Sequence, residues 1–184
     1  PNATGSPFVF TLRASNGVGT PASQNFTLAV VFPAAIATQP VNVTVTQGQA
    51  ATFTVGAIGN PAPTYQWRKD TVAIFGATTS SLTLTNAQPA SGGSYDVIVS
   101  NSLGSVTSSA VTLTVNTAPA ITTQPVATTV NQGQNATFTA AANGIPTPTF
   151  QWRKGSTAIS GATGATFTLT SVQPADAASY NVVV

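Results

Sequence analysis

Acid–base, nucleophilic and metal chemistry draw on a short list of side chains, and this sequence offers few of them. Of 184 residues, the charged ones are Asp70, Asp96, Asp176, Arg13, Arg68, Lys69, Arg153 and Lys154. There is no His, Cys, Met or Glu. A general base is most often a His or a carboxylate poised near neutral pH, and an activated nucleophile needs such a base beside it. A glycoside hydrolase needs two carboxyl groups flanking one bond. Here Asp70 reads as a turn residue, Asp176 as a corner residue and Asp96 as a solvent-facing strand position. Zinc prefers clustered Cys or His, and calcium needs several convergent oxygen ligands. The sequence therefore predicts no catalytic, cofactor-binding or metal site, and a chain that is not an enzyme.

The formal net charge is +2 and the pI about 9.4. Two surplus charges do not make a phosphate-tracking surface, so nucleic acid is not an expected partner. No apolar run approaches the ~20 residues of a membrane-spanning helix. Charged residues make up 4% of the chain, against about 25% in typical soluble domains. Cytosolic proteins stay dispersed largely through such charges. A surface of hydroxyls and amides points instead to an extracellular or cell-surface setting.

The elements that must position these residues are organised by an internal repeat. Ile36 is matched by Ile121, 85 residues further on, and the two segments align without a gap as far as Val99 and Val184. Identity is 38 of 64 positions, enough to require one fold for both copies. Gln47-Gly48-Gln49, Gln66-Trp67-Arg68-Lys69 and Gln88-Pro89-Ala90 recur as Gln132-Gly133-Gln134, Gln151-Trp152-Arg153-Lys154 and Gln173-Pro174-Ala175. The first residues keep the same offset: Ser15-Asn16 matches Ser100-Asn101, and Phe26-Thr27-Leu28 matches Val111-Thr112-Leu113. The expected domains are 1–31, the C-terminal strands of a first repeat; 32–116, a complete repeat; and 117–184, a repeat lacking its last strand.

Within the repeat, apolar residues alternate with hydroxyls. Ala51, Phe53, Val55 and Ala57 form one row, Leu82 and Leu84 another, then Tyr95, Val97 and Val99, then Val111, Leu113 and Val115. A period of two marks half-buried strands. Gly48, the run Gly59 to Pro63, Gln88-Pro89 and Asn101 to Gly104 supply turns between them. Short strands at this spacing predict an all-β chain of tandem Greek-key β-sandwiches.

At these residues the chain resembles the I-set branch of immunoglobulin domains, in the cysteine-free form common in large bacterial surface proteins. The resemblance is carried by Trp67 and Trp152, each after a Gly-x-Pro-x-Pro loop, by Tyr95-x-Val97-x-Val99-Ser100-Asn101-x-x-Gly104, and by Asp176-x-Ala178-x-Tyr180. The complete repeat departs from that last pattern with Ser91 in the Asp position. The family's inter-sheet disulfide would fall at Val55 with Val97 and at Ala140 with Val182, so the resemblance implies apolar pairs covered by Trp67 and Trp152. It makes Tyr95 and Tyr180 tyrosine corners. These eight residues are the expected structural core. Lys69 and Lys154 read as strand-end lysines that snorkel into solvent, not as partners in a pilus-type Lys–Asn crosslink.

Phe75 has Ser160 as its repeat partner, so the core does not require a ring there, and Phe75 is the candidate surface contact. Sequons begin at Asn2, Asn25, Asn42 and Asn135. The junctions Val30-Val31-Phe32-Pro33 and Val115 to Pro119 are short, partly apolar and stiffened by proline, which predicts a semi-rigid connection. The expected function is a non-catalytic extracellular stalk, surface filament or adhesin shaft; the alternative is a spacer or binding module of a large secreted enzyme. Expected partners are neighbouring copies of the same repeat and a glycan or cell-surface ligand. The truncated repeats read as a window cut from a longer array, or as ends that exchange strands in head-to-tail self-assembly.

Overall fold

The computed structural model describes residues 8–184. They fall into two compact units, one ending at Thr114 and one spanning Val115–Val184.

The first unit opens with a hairpin of β1 (Phe8–Ala14) and β2 (Ala22–Leu28). Its tip is closed where the Asn16 carboxamide accepts a hydrogen bond from the Val18 amide at 3.0 Å. Phe10 stands opposite Phe26 and Leu12 opposite Gln24. All of these side chains are exposed.

A complete sandwich follows. Its strands are β3 (Phe32–Thr38), β4 (Val43–Thr46), β5 (Ala51–Thr54), β6 (Gly56–Asn60), β7 (Thr64–Lys69), β8 (Val72–Ala73), β9 (Ser81–Leu84), β10 (Gly93–Asn101), β11 (Gly104–Thr107) and the first residues of β12 (Val111–Thr123). On one side β5 pairs with β9 and β6 with β3, all antiparallel. On the other the order is β12-β10-β7-β8, with β11 also on β10 and β4 on β12. The alternation read from the sequence is the burial pattern found: Ala51, Phe53, Tyr95, Val97, Val99, Val111, Leu113 and Val115 are buried, while Thr52, Thr54, Thr112 and Ser94 are exposed. The row does not extend to Ala57, which is half-buried, because the strand breaks after Thr54 and resumes at Gly56 to pair with β3.

The last strand is interrupted between Thr107 and Val111, and Ser108 patches the gap. Its amide donates to the Val97 carbonyl at 2.9 Å, and its hydroxyl accepts from the Val97 amide at 3.0 Å. No buried backbone group of Val97 is therefore left unpaired. At one end of the sandwich Asn101 satisfies its whole carboxamide: it donates to the carbonyls of Phe32 and Pro61 and accepts from the amides of Ala34 and Leu103. Gly59 makes room for this clamp, since a Cβ there would stand 3.0 Å from Asn101 Nδ2 and 3.3 Å from Ala34 Cα.

The second unit repeats the plan with the later part of β12, β13 (Ala136–Thr139), β14 (Ala141–Ile145), β15 (Gln151–Lys154), β16 (Thr157–Ala158), β17 (Thr166–Leu169) and β18 (Tyr180–Val183). Residues Thr117–Thr123 of β12 pair with β14, β13 pairs with β17, and β15 lies between β16 and β18.

Replacing Trp67 by Ala removes the largest fully buried side chain of the complete sandwich. The expected cost is about 3–5 kcal/mol, enough to unfold that unit in a chemical denaturation followed by circular dichroism. Thr52→Ser, on the exposed face, should leave the transition within about 0.5 kcal/mol of its original position.

Candidate functional site

The recurring motifs meet in space and hold one another. The Gln47 carboxamide donates to that of Gln88 at 2.9 Å, and Gln132 does the same to Gln173 at 2.8 Å. Gly48, at φ +88°, turns the chain so that its amide reaches the Ala87 carbonyl. Gln66 donates to the carbonyls of Trp67 and Ile74 across β7 and the chain after β8, as Gln151 does to Trp152 and Ile159. Each indole donates to a carbonyl twelve residues on, Trp67 to Thr79 at 3.0 Å and Trp152 to Gly164 at 2.9 Å.

Both tryptophans are fully buried, with Val97 and Val182 opposite them on the neighbouring strand. Val55, Val97 and Ala140 are buried as well. Phe53 stacks on Tyr95 at 4.9 Å between centroids and meets Trp67 at 6.1 Å; Phe138 lies likewise between Tyr180 and Trp152, at 5.2 and 6.1 Å. The Tyr95 hydroxyl donates to the Ser91 carbonyl at 2.7 Å, and Tyr180 to Asp176 at 2.8 Å. Burial raises the Tyr95 pKa above its ordinary value, and the nearby Asp70 carboxylate adds to the rise.

Two core positions differ from expectation. Tyr180 and Val182 are half-buried. Their counterparts in the complete sandwich, Tyr95 and Val97, are buried. Tyr180 lines an open groove of about 330 Å³ with Phe138, Leu169 and Val172.

The charges also differ. Asp96 does not face solvent freely: its two carboxylate oxygens accept from Arg68 Nε and Nη2, each at 2.7 Å, across neighbouring strands. The bond to Asp96 raises the Arg68 pKa. Lys69 and Lys154 do not simply snorkel. Lys69 donates to the Ala90 carbonyl and Lys154 to that of Ala175, and the Lys154 ammonium lies 3.7 Å from Asp176. The short 3₁₀ turns Pro89–Ser91 and Pro174–Asp176 present those carbonyls to the strand ends. Asp70 does sit in a turn, at φ 48°, and accepts from the Ser94 amide.

The repeats part company at Arg153. Its register partner is Asn181, which turns away to donate to the Gly155 carbonyl. Arg153 Nε is left buried with no hydrogen-bond partner among the described residues. The substitution of Asp96 by Asn181 is visible in the sequence alignment, but its consequence requires the cross-strand register.

Among the described residues, no three Asp side chains gather in a metal-holding group. Phe75 is fully exposed, at 104% relative accessibility. Asn25, Asn42 and Asn135 are exposed, and each uses its carbonyl oxygen internally, accepting from Thr11, Thr112 and Ser171 respectively. Asn2 lies outside the described residues.

Known proteins resemble this arrangement. A sequence model of the immunoglobulin domain matches residues 33–101 and 118–184. Endoglucanase C of Cellulomonas fimi is 41% identical over 123 residues, covering 62% of this chain and 11% of that protein. The Xenopus laevis protein named cell adhesion molecule-related/down-regulated by oncogenes is 28% identical over 144 residues, covering 74% and 12%. The crystal structure of the four N-terminal Ig domains of Dscam1 superposes with a TM-score of 0.66 at 20% identity, covering 95% of this chain and 49% of that one. The chain thus spans about a tenth of the length of these two curated relatives.

Asn181→Asp should give Arg153 the bidentate partner that Arg68 has. The expected gain is about 0.5–1 kcal/mol in thermal unfolding of the second unit at neutral pH, disappearing in acid once the new carboxylate is protonated. For Tyr95 the folded-state pKa is raised, so its contribution is complete below the ordinary tyrosine value of about 10. It is lost as pH rises through the higher folded value. Alkaline unfolding monitored by tyrosinate absorbance should show Tyr95 ionising late, a component that Tyr95→Phe removes.

Proposed function

This chain belongs to the immunoglobulin domain family, and we propose that it is a non-catalytic structural stretch of an extracellular or cell-surface protein: part of a stalk, a surface filament or an adhesin shaft. The observation that carries this is how the recurring motifs are used. Gln47 with Gln88, Gln66 with the Trp67 and Ile74 carbonyls, Trp67 with Thr79, and Lys69 with Ala90 all bond within their own repeat, and their counterparts in the second repeat bond in the same way. What recurs between the copies is the machinery of folding, as expected where the domain itself is the product. Poverty in charge and the 85-residue repeat support the extracellular setting. The domains follow the repeat: 1–31 as the last strands of one domain, 32–116 as a complete one, and 117–184 as the first six strands of another. Partners are neighbouring copies of the same repeat, with a glycan or cell-surface ligand for the shaft as a whole.

Similarity to a segment of an endoglucanase favours a second reading, in which such domains space a catalytic domain from whatever it is anchored to. Electron microscopy of the native parent protein separates the two. Filaments or stalks with a regular beaded period support the first. Rods that end in a larger globule carrying hydrolase activity support the second. In either case the 184-residue chain, incubated with soluble cellulose or starch, should release no reducing sugar; release that scales with enzyme purity overturns the non-catalytic assignment.

A further inference from the structure

Of the two longer repeats, 32–116 and 117–184, the second serves as an internal control for the surface of the first. Among the described residues strand β8 pairs only with β7 and stands at the end of its sheet, so its outer side is an unpaired edge there. Proteins blunt such edges with charge, proline or polar side chains. At the equivalent edge of the second repeat the sequence is Thr157-Ala158-Ile159-Ser160, with a hydroxyl at each end. In the complete repeat it is Val72-Ala73-Ile74-Phe75, with no hydroxyl and no charge. The backbone is the same in both: Ile74 and Ile159 each donate to the carbonyl of the tryptophan on the neighbouring strand, at 2.9 Å. Ile74 is half-buried and holds the turn, whereas Val72 is 69% exposed and Phe75 104% exposed. The fold therefore does not need an apolar residue at 72 or 75, and the first repeat presents both to water.

We propose that the Val72–Phe75 edge is a contact surface for a second copy of this chain, meeting the same edge through a two-fold axis. Three observations favour a like partner. An apolar, uncharged edge is complementary to itself, which is what an isologous contact requires. A formal net charge of +2 leaves little repulsion between copies. Asp70, the nearest charge before the edge, is occupied by the Ser94 amide and lies 4.0 Å from Lys69, so no unpaired charge opposes the approach. The contact is small. A standard interface buries about 800 Å² per partner, and one aromatic ring supplies roughly 150–250 Å². A single contact is therefore weak, and its effect grows where several copies lie side by side. This lateral contact goes beyond the stalk assignment and does not depend on it.

The test uses substitutions that the molecule already tolerates at the matching positions: Val72→Thr and Phe75→Ser. Sedimentation velocity of the 184-residue chain over rising concentration should show reversible self-association, weakened roughly tenfold or more in Phe75→Ser, with thermal stability unchanged. Because the chain has no cysteine, Ala73→Cys provides a unique thiol near the proposed axis. Under mild oxidation it should form disulfide-linked dimers faster than Ala158→Cys on the polar edge. A wild-type chain that stays monomeric overturns the proposal. So does association that both substitutions leave intact, which would place the contact elsewhere, for example on the exposed hairpin face of Phe10 and Phe26. Phe75-dependent adsorption of a monomeric chain to an insoluble polysaccharide overturns it as well.

Discussion

Each domain depends on an indole buried between two sheets that no covalent bond joins. A disulfide at this place would constrain the unfolded chain, and losing one typically costs 2–5 kcal/mol. Here Val55, Val97 and Trp67 are all buried, and Trp67 meets the ring of Phe53, which in turn stacks on Tyr95. The ring system ties three strands together at once: β5 through Phe53, β7 through Trp67 and β10 through Tyr95. Burying an indole also buries its N–H, which must find an acceptor. The Thr79 carbonyl, in the segment leading to β9, fills that role. One side chain thereby fixes the spacing of the sheets and the path of a connecting loop.

Around this core the polar motifs act as fasteners where a charged protein would use ion pairs. Gln47 bonds to the Gln88 carboxamide and Asn101 to the Phe32 and Pro61 carbonyls across long sequence separations, while Gln66 bonds to the nearer carbonyls of Trp67 and Ile74. Neutral hydrogen bonds of this kind contribute about 1 kcal/mol each, and they are insensitive to salt and to pH. The few charges are used sparingly: Arg68 with Asp96 across two strands, and Lys154 near Asp176 at the corner. Arg153 shows what happens when one partner is exchanged. With Asn181 opposite, its Nε is left buried without a partner, so the second repeat gives up part of what the first gains from the same arginine.

Much of this was legible in the sequence because a strand reports its own burial. Alternation of Ala51, Thr52, Phe53 and Thr54 places one face inward whatever the neighbours are, since side chains on a strand alternate with a period of two. The 85-residue repeat and the placement of Trp67, Tyr95 and their counterparts likewise need only the order of residues. The roles of Asp96, Lys69 and Lys154 were not legible in the same way. From sequence alone each looks like a charge on a half-exposed strand or at a strand end, and nothing local names its partner.

What the sequence by itself determined, then, is the all-β sandwich, its repeat and the side chains that fill it, because burial, turn chemistry and repetition are properties of short stretches of chain. What only the tertiary structure decided is which distant groups meet. Arg68 finds Asp96 because β7 and β10 pair in one particular register, and Lys69 finds the Ala90 carbonyl because the 3₁₀ turn lies below the strand end. The bare Val72–Phe75 edge is of the same kind. It depends on whether another strand lies alongside, a fact that resides in the packing of the sheets and in no single stretch of sequence.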